Sequence, residues 1–185
     1  MQVQRAFAEI RRSDFLTDDQ RRYSAEDRPL PIGHGQTNSQ PTTVLRMLEW
    51  LDVRQADSVL DVGSGSGWTT ALLGHLTGPT GRVRGVERVP ELVVWGGENV
   101  ASYDLPWVSI QPAESEVLGL PGEAPFDRIL VSAQARHLPE ELVGQLAEPG
   151  RMVIPVFGRM LVVDRSATGQ VSARRLGHYA FVPLR

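Results

Sequence analysis

Two acids and three glycines hold the most explicit chemistry in this chain. Val59-Leu60-Asp61-Val62 is an apolar run that closes on a carboxylate, and Gly63, Gly65 and Gly67 follow at alternate positions before Trp68. Glycine has no Cβ and tolerates positive φ, so such a loop lets a ligand approach the backbone. The segment 68–76 has helical character, and a helix start there offers unpaired N–H groups to a polar ligand. A second run, Arg82 to Glu87, also ends in an acid. At the carboxyl end of a neighbouring strand, the Glu87 carboxylate can accept two hydrogen bonds from vicinal ribose hydroxyls. Plainer readings exist: a loop that only turns, and a Glu87 paired on the surface with Arg84 or Arg88.

The spacing chooses between ligands. A dinucleotide fingerprint is G-x-G-x-x-G with an acid about 20 residues later. Here the glycines run G-x-G-x-G and Asp61 precedes them. S-adenosylmethionine carries an ammonium, a sulfonium and a carboxylate but no phosphate. An acid at the strand end suits that cationic ligand, so S-adenosylmethionine is favoured over NAD.

The elements that must carry these residues alternate. Periodicity predicts helices over 3–19, 42–51, 68–76, 90–101 and 139–147, and strands over 58–63, 82–87, 107–111, 126–132 and 152–156. Residues 23–41 read as irregular, with Pro29, Pro31, Gly33 and Gly35. Two late extended runs, 161–165 and 179–184, predict a terminal antiparallel pair turning near Ala167-Thr168-Gly169. The expected class is α/β, a mostly parallel sheet covered on both faces. The expected division is a helical segment and loop over 1–52 and a core over 53–185.

Composition narrows the function. The chain has 185 residues, a formal net charge of −3 and no cysteine. The charge argues against general nucleic-acid binding. Without cysteine there is no disulfide, thiolate nucleophile or thiolate metal ligand. His34, His75, His137 and His178 show no metal-ligand spacing, so no metal site is expected. No run of 18 apolar residues predicts a membrane span, and the start lacks a signal-peptide core, which suggests the cytoplasm.

Longer strings then resemble one family. Pro29-Leu30-Pro31-Ile32-Gly33-His34-Gly35-Gln36-Thr37, followed by Ser39-Gln40-Pro41, is similar to the protein-L-isoaspartate O-methyltransferases. So are Leu60 to Gly67, Gly85 to Leu92, Ala124 to Ile129, Ile154-Pro155-Val156 and Phe181-Val182-Pro183-Leu184. The resemblance covers nearly the whole chain. It implies a class I S-adenosylmethionine-dependent methyltransferase fold, a Rossmann-like three-layer sandwich with a small N-terminal helical addition. It implies S-adenosyl-L-methionine as donor, S-adenosyl-L-homocysteine as product, and a peptide or protein bearing L-isoaspartate as acceptor, the repair of damaged proteins. It places Ser39 at the active-site serine. Cofactor contacts fall to Thr37, Asn38, Gln40, Asp61, Gly63, Ser64, Gly65, Gly67, Glu87, Arg88 and Glu114. Ile32, His34, Val131, Ser132 and Ala133 border the acceptor. A monomer, with no nucleic-acid or membrane partner, is expected.

The chemistry needs no base. A carboxylate with pKa near 4 is already a nucleophile at neutral pH. The protein must align it with the methyl group, worth roughly 7–11 kcal/mol, and exclude water. A hydroxyl such as Ser39 can orient the acceptor oxygen. Ser39-Gln40-Pro41 is equally a good helix start, with Ser39 as its cap. His34 and His137 suit loop-structuring roles, Trp68 packing or the cofactor edge, and Arg11, Arg12, Arg21 and Arg22 solvated faces.

The departures from the family pattern are specific. The Gly-Asp-Gly after the third core strand is replaced by Pro112-Ala113-Glu114-Ser115-Glu116, leaving Glu114 or Glu116 for the adenine amine. Asn38 stands where isoleucine is usual, Arg136 ends an altered Ala133-Gln134-Ala135 segment, and Arg159 replaces a glutamine. The C-terminal extension of many members does not follow Leu184. Cofactor binding is therefore better supported than acceptor identity. The alternatives are a carboxyl methyltransferase for a dedicated peptide or natural product, and a non-catalytic adenosyl-binding module.

Overall fold

The computed structural model describes residues 2–184. Its elements are α1 (Gln2–Glu9), β1 (Leu30–Gly33), β2 (Gln36–Asn38), α2 (Pro41–Leu51), β3 (Ser58–Val62), α3 (Trp68–Thr77), β4 (Arg82–Glu87), α4 (Pro90–Ala101), β5 (Val108–Pro112), β6 (Phe126–Val131), α5 (Glu140–Val143), β7 (Leu146–Val156), β8 (Arg159–Arg165) and β9 (Val171–His178). Seven strands form one sheet in the order β5-β4-β3-β6-β7-β8-β9. The strands from β5 to β7 are parallel, and β8 and β9 add antiparallel. The chain runs from β3 outward to β5 and then returns to place β6 on the other side of β3. Strand order reverses there, and in an open α/β sheet a ligand crevice opens at that point.

Local sequence explains the central elements. β3 and β6 are buried on both faces, which fits near-continuous apolar runs inside a covered parallel sheet. α2 starts on Pro41, whose fixed φ suits a first helical turn, and buries Val44, Met47, Leu48 and Leu51 on one stripe. The outer layers are unequal. Ala6, Leu48, Leu72 and Val100 of α1 to α4 pack in one cluster with Val59, Leu130 and Val153. The opposite face is covered by Leu142 of the four-residue α5 and by loop residues such as Leu118 and Leu120.

Four expectations change. The first helix stops at Glu9 and resumes as a short 3-10 turn over Arg12–Phe15. The stretch read as irregular contains the β1–β2 hairpin, turning at His34 and Gly35 with φ of 53° and 69°. The helix expected over 139–147 ends at Val143, and β7 begins at Leu146. The last strand is Val171–His178 rather than 179–184, although Leu184 and Val182 still bond Gln134 through the main chain. No helix among the described residues is long and apolar enough to cross a membrane.

Candidate active site

A cavity of about 660 Å³ opens over the carboxyl ends of β3, β4 and β6. Its floor is Gly63, Ser64, Gly65 and Ser66, between β3 and α3. Gly63 and Gly65 take φ of 81° and 53°, a region that disfavours a side chain. Glu87 and Arg88 form one wall, Ser132 and Ala133 another, and Thr37, Asn38 and Ser39 a third. The segment Ala113 to Gly119 closes the far end, with Glu114 and Glu116 on its rim.

Asp61 lies behind this floor and is wholly buried. Thr69 Oγ1 and Thr70 Oγ1 both donate to its Oδ2, at 2.8 and 2.7 Å. Its Oδ1 has no partner, and neither has the buried Ser64 Oγ. Burial pushes the Asp61 carboxyl up to about 6; the two threonines oppose this and the charge of Glu87 adds to it. Two orphaned acceptors beside a glycine loop suit a ligand that brings ammonium or hydroxyl donors.

Glu87 does more than face the cavity. Its Oε2 accepts from Gly65 N at 2.9 Å, and its Oε1 accepts from Arg88 N and Val89 N at 2.8 and 3.0 Å. It therefore fixes the glycine loop and the start of α4 together. A carboxylate has about four acceptor positions, so one remains for a ribose hydroxyl rather than the two expected. The surface pairing does not form: Arg84 bonds Glu123 instead, at 3.0 Å.

Ser39 does not cap α2. The cap residue is Gln40, without a side-chain cap bond. Asp27 reaches in from the preceding loop and accepts from Thr42 N and Thr42 Oγ1, both at 2.8 Å, and from Gln40 Nε2 at 3.0 Å. With the helix start satisfied from outside, Ser39 is free to line the cavity. Asn38 is buried; it accepts from Arg12 Nε at 2.8 Å and donates to Ser66 Oγ at 3.3 Å.

Several expected residues do not reach the cavity. Gly67 caps α3 at φ 91°, and a Cβ there would meet Gly96 O at 2.8 Å, so its smallness serves loop–helix packing. Gln40 is held by Asp27. Ile32 is in a core cluster with Leu16, Leu30 and Leu92 and backs Gly65. His34 is the exposed tip of the hairpin. Val131 is fully buried in β6, one residue short of the lining. Arg12, read as solvated, is 6% exposed. In the other direction, His137, Arg136 and Pro183 join the lining. Trp68 holds both proposed places, lining the cavity while its Nε1 donates to Ile10 O at 3.3 Å. Only the fold brings His137 and Pro183 to one rim; the local sequence carries no signal of it.

Similarity to known proteins identifies the family. The family of protein-L-isoaspartate(D-aspartate) O-methyltransferases matches residues 1–185. The chain belongs to that family. A protein-L-isoaspartate O-methyltransferase of Aeropyrum pernix is 44% identical over 98% of this chain and 72% of its own length. One from Methanopyrus kandleri is 43% identical over 98% and 82%. Among solved structures, one protein-L-isoaspartate O-methyltransferase superposes with a TM-score of 0.89 at 25% identity, over all of this chain and 61% of that one. A Plasmodium falciparum family member in complex with S-adenosyl-L-homocysteine gives 0.79 at 26% identity, over all of this chain and 90% of that one. The fold is that of the S-adenosylmethionine-dependent methyltransferases. Among the described residues no group of three or more acidic or histidine side chains is placed to hold a metal ion.

Proposed function

We propose that this member of the family methylates the α-carboxylate of L-isoaspartyl residues in damaged proteins or peptides. The observation that carries the reading is the Ser39 hydroxyl, released from helix capping by Asp27 and set in the same cavity as the glycine loop. Ser64 and Asp61 hold the amino-acid end of the donor, Asp61 from behind the loop. Glu87 takes one ribose hydroxyl, and Glu114 borders the adenine. Thr37 and Arg88 flank the donor, and Ser132 and Ala133 border the acceptor. Bound S-adenosylmethionine supplies a methyl group on a sulfonium, an electrophile that needs no activation by the protein. Ser39 donates to one acceptor oxygen and directs the other at the methyl carbon. As the new C–O bond forms, the C–S bond breaks and its electron pair stays on sulfur. No proton moves, so the lack of a base is no obstacle. Neutralising two opposite charges is favoured in a site closed to water. We place the protein in the cytoplasm as a monomer.

Methyl transfer to a synthetic peptide with one isoaspartate, against its aspartate twin, tests the proposal. Transfer to the first and not the second is expected. Equal transfer to both, or to neither, would reject it.

A further inference from the structure

Among the described residues, Arg12 is the most heavily bonded side chain that the proposed reaction does not use. Its Nε donates to Asn38 Oδ1 at 2.8 Å. Its Nη1 donates to Glu26 O and Ser24 O at 2.8 and 3.3 Å. Its Nη2 donates to Arg28 O, Ser39 O and Asn38 O at 2.7, 3.0 and 3.3 Å. Every one of these acceptors is a neutral oxygen, and the guanidinium also stacks on Trp68, 5.5 Å from the ring centroid. A charge buried among neutral dipoles is costly to place, so the geometry it enforces is its main contribution.

The bonds converge on two loops. Ser39 and Asn38 form the acceptor wall of the cavity, and Asn38 Nδ2 passes the contact on to Ser66 Oγ, on the glycine loop, at 3.3 Å. The same guanidinium grips residues 24–28, the loop that delivers Asp27 to the start of α2. Ser39 is thus held from its carbonyl on one side and from the helix start on the other. Asn38 gives this chain a polar link between acceptor and donor loops.

We propose that Arg12 is a positioning residue that sets Ser39 against the glycine loop, through the Ser39 carbonyl and the Asn38 amide. The inference rests on the assignment of Ser39 above. Lysine cannot replace it, because one ammonium lacks the planar fork that spans Asn38, Ser39 and Arg28 at once. A displacement near 1 Å at a reacting group can cost about 100-fold in rate.

The test is a kinetic cycle with Arg12→Lys, Ser39→Ala and the double variant, on the isoaspartyl peptide. Arg12→Lys should lower kcat by at least about tenfold while the affinity for S-adenosyl-L-homocysteine stays within about twofold. The double variant should turn over no more slowly than Ser39→Ala alone, because both act on one group. Multiplied losses, or a cofactor affinity that falls with kcat, would overturn the role. If Arg12→Lys does not fold, Asn38→Ala removes the amide link to Arg12 and to Ser66; a loss of kcat is expected, and wild-type kcat would overturn the role. Amide exchange needs no substrate and separates the two readings. Faster exchange over residues 37–44 in Arg12→Lys, with α3 unchanged, supports the clamp even if isoaspartate proves the wrong acceptor. Unchanged exchange refutes the clamp.

Discussion

Asp61 couples the site to pH. Its carboxyl is raised to about 6, first by burial, from the ordinary 3.8. Between about pH 4 and 6 the folded protein keeps a proton that the unfolded chain has released. Stability therefore falls as pH rises through that window and levels off above it, by about 3 kcal/mol in all. Donor binding runs the other way. On the proposed pairing of Asp61 with the donor's ammonium, the complex favours ionised Asp61, so affinity for S-adenosylmethionine should weaken as pH drops below 6, by up to about tenfold per unit. Calorimetry from pH 7.5 to 5 reads this, with Asp61→Asn as the comparison. An equally steep profile in Asp61→Asn would assign the dependence to another group.

Polar residues also show how far local reading reaches. Asp61, Ser64 and Glu87 were legible because strand-end acids and a glycine loop are adjacent in the chain. Arg12 was not. Its neighbours Arg11, Arg21 and Arg22 are exposed, and nothing in its flanking residues distinguishes it from them. Its partners, Asn38 and Ser39, lie 26 and 27 residues along the chain and meet it only in the folded structure.

Among the elements, the β3–α3 loop is the most constrained. Gly67 combines φ 91° with a Cβ direction that points at Gly96 O, 2.8 Å away, and at Val100 Cγ2, 3.0 Å away. Gly67→Ala should cost about 1–3 kcal/mol from backbone strain, with overpacking against α4 added. An unfolding free energy from urea denaturation within about 0.5 kcal/mol of wild type would show that the loop and α4 separate easily. The amphipathic α2 and the apolar segments of α3, α4, β3, β4, β5 and β6 stand within a residue of where the local pattern predicts them. Others are shifted or cut short. β9 is polar and almost wholly exposed, so it owes its place to main-chain pairing with β8 rather than to an apolar face. β7 passes through Glu148-Pro149-Gly150, residues that interrupt a strand pattern, and only its Met152–Val156 part is legible. Leu142, Val143 and Leu146 mimic a helical stripe, but the helix ends at Val143, with Gly144 after it.

For the whole molecule, the cavity draws on segments from Gln36 to Leu184, so its ligand should stabilise the entire fold. S-adenosyl-L-homocysteine at 100 times its Kd should add about 2.7 kcal/mol. At this size that is a rise in Tm of roughly 5–10 °C. NAD at the same concentration should leave Tm unchanged. A matching rise with NAD, or none with S-adenosyl-L-homocysteine, would mean the cavity is built for another ligand.

By itself the sequence determined the class of sheet, the glycine loop and the cationic donor, because each is written in consecutive residues: a period of two or 3.6, an acid before glycines, a loop before a helix. Tertiary structure decided which polar groups are spent and which are free. Asp27 rather than Ser39 caps α2, Glu87 keeps one acceptor position of four, and Arg12 is a buried clamp. Hydrogen-bond partners are fixed by proximity in space, and loops separated along the chain become neighbours only when the sheet and its helices have packed.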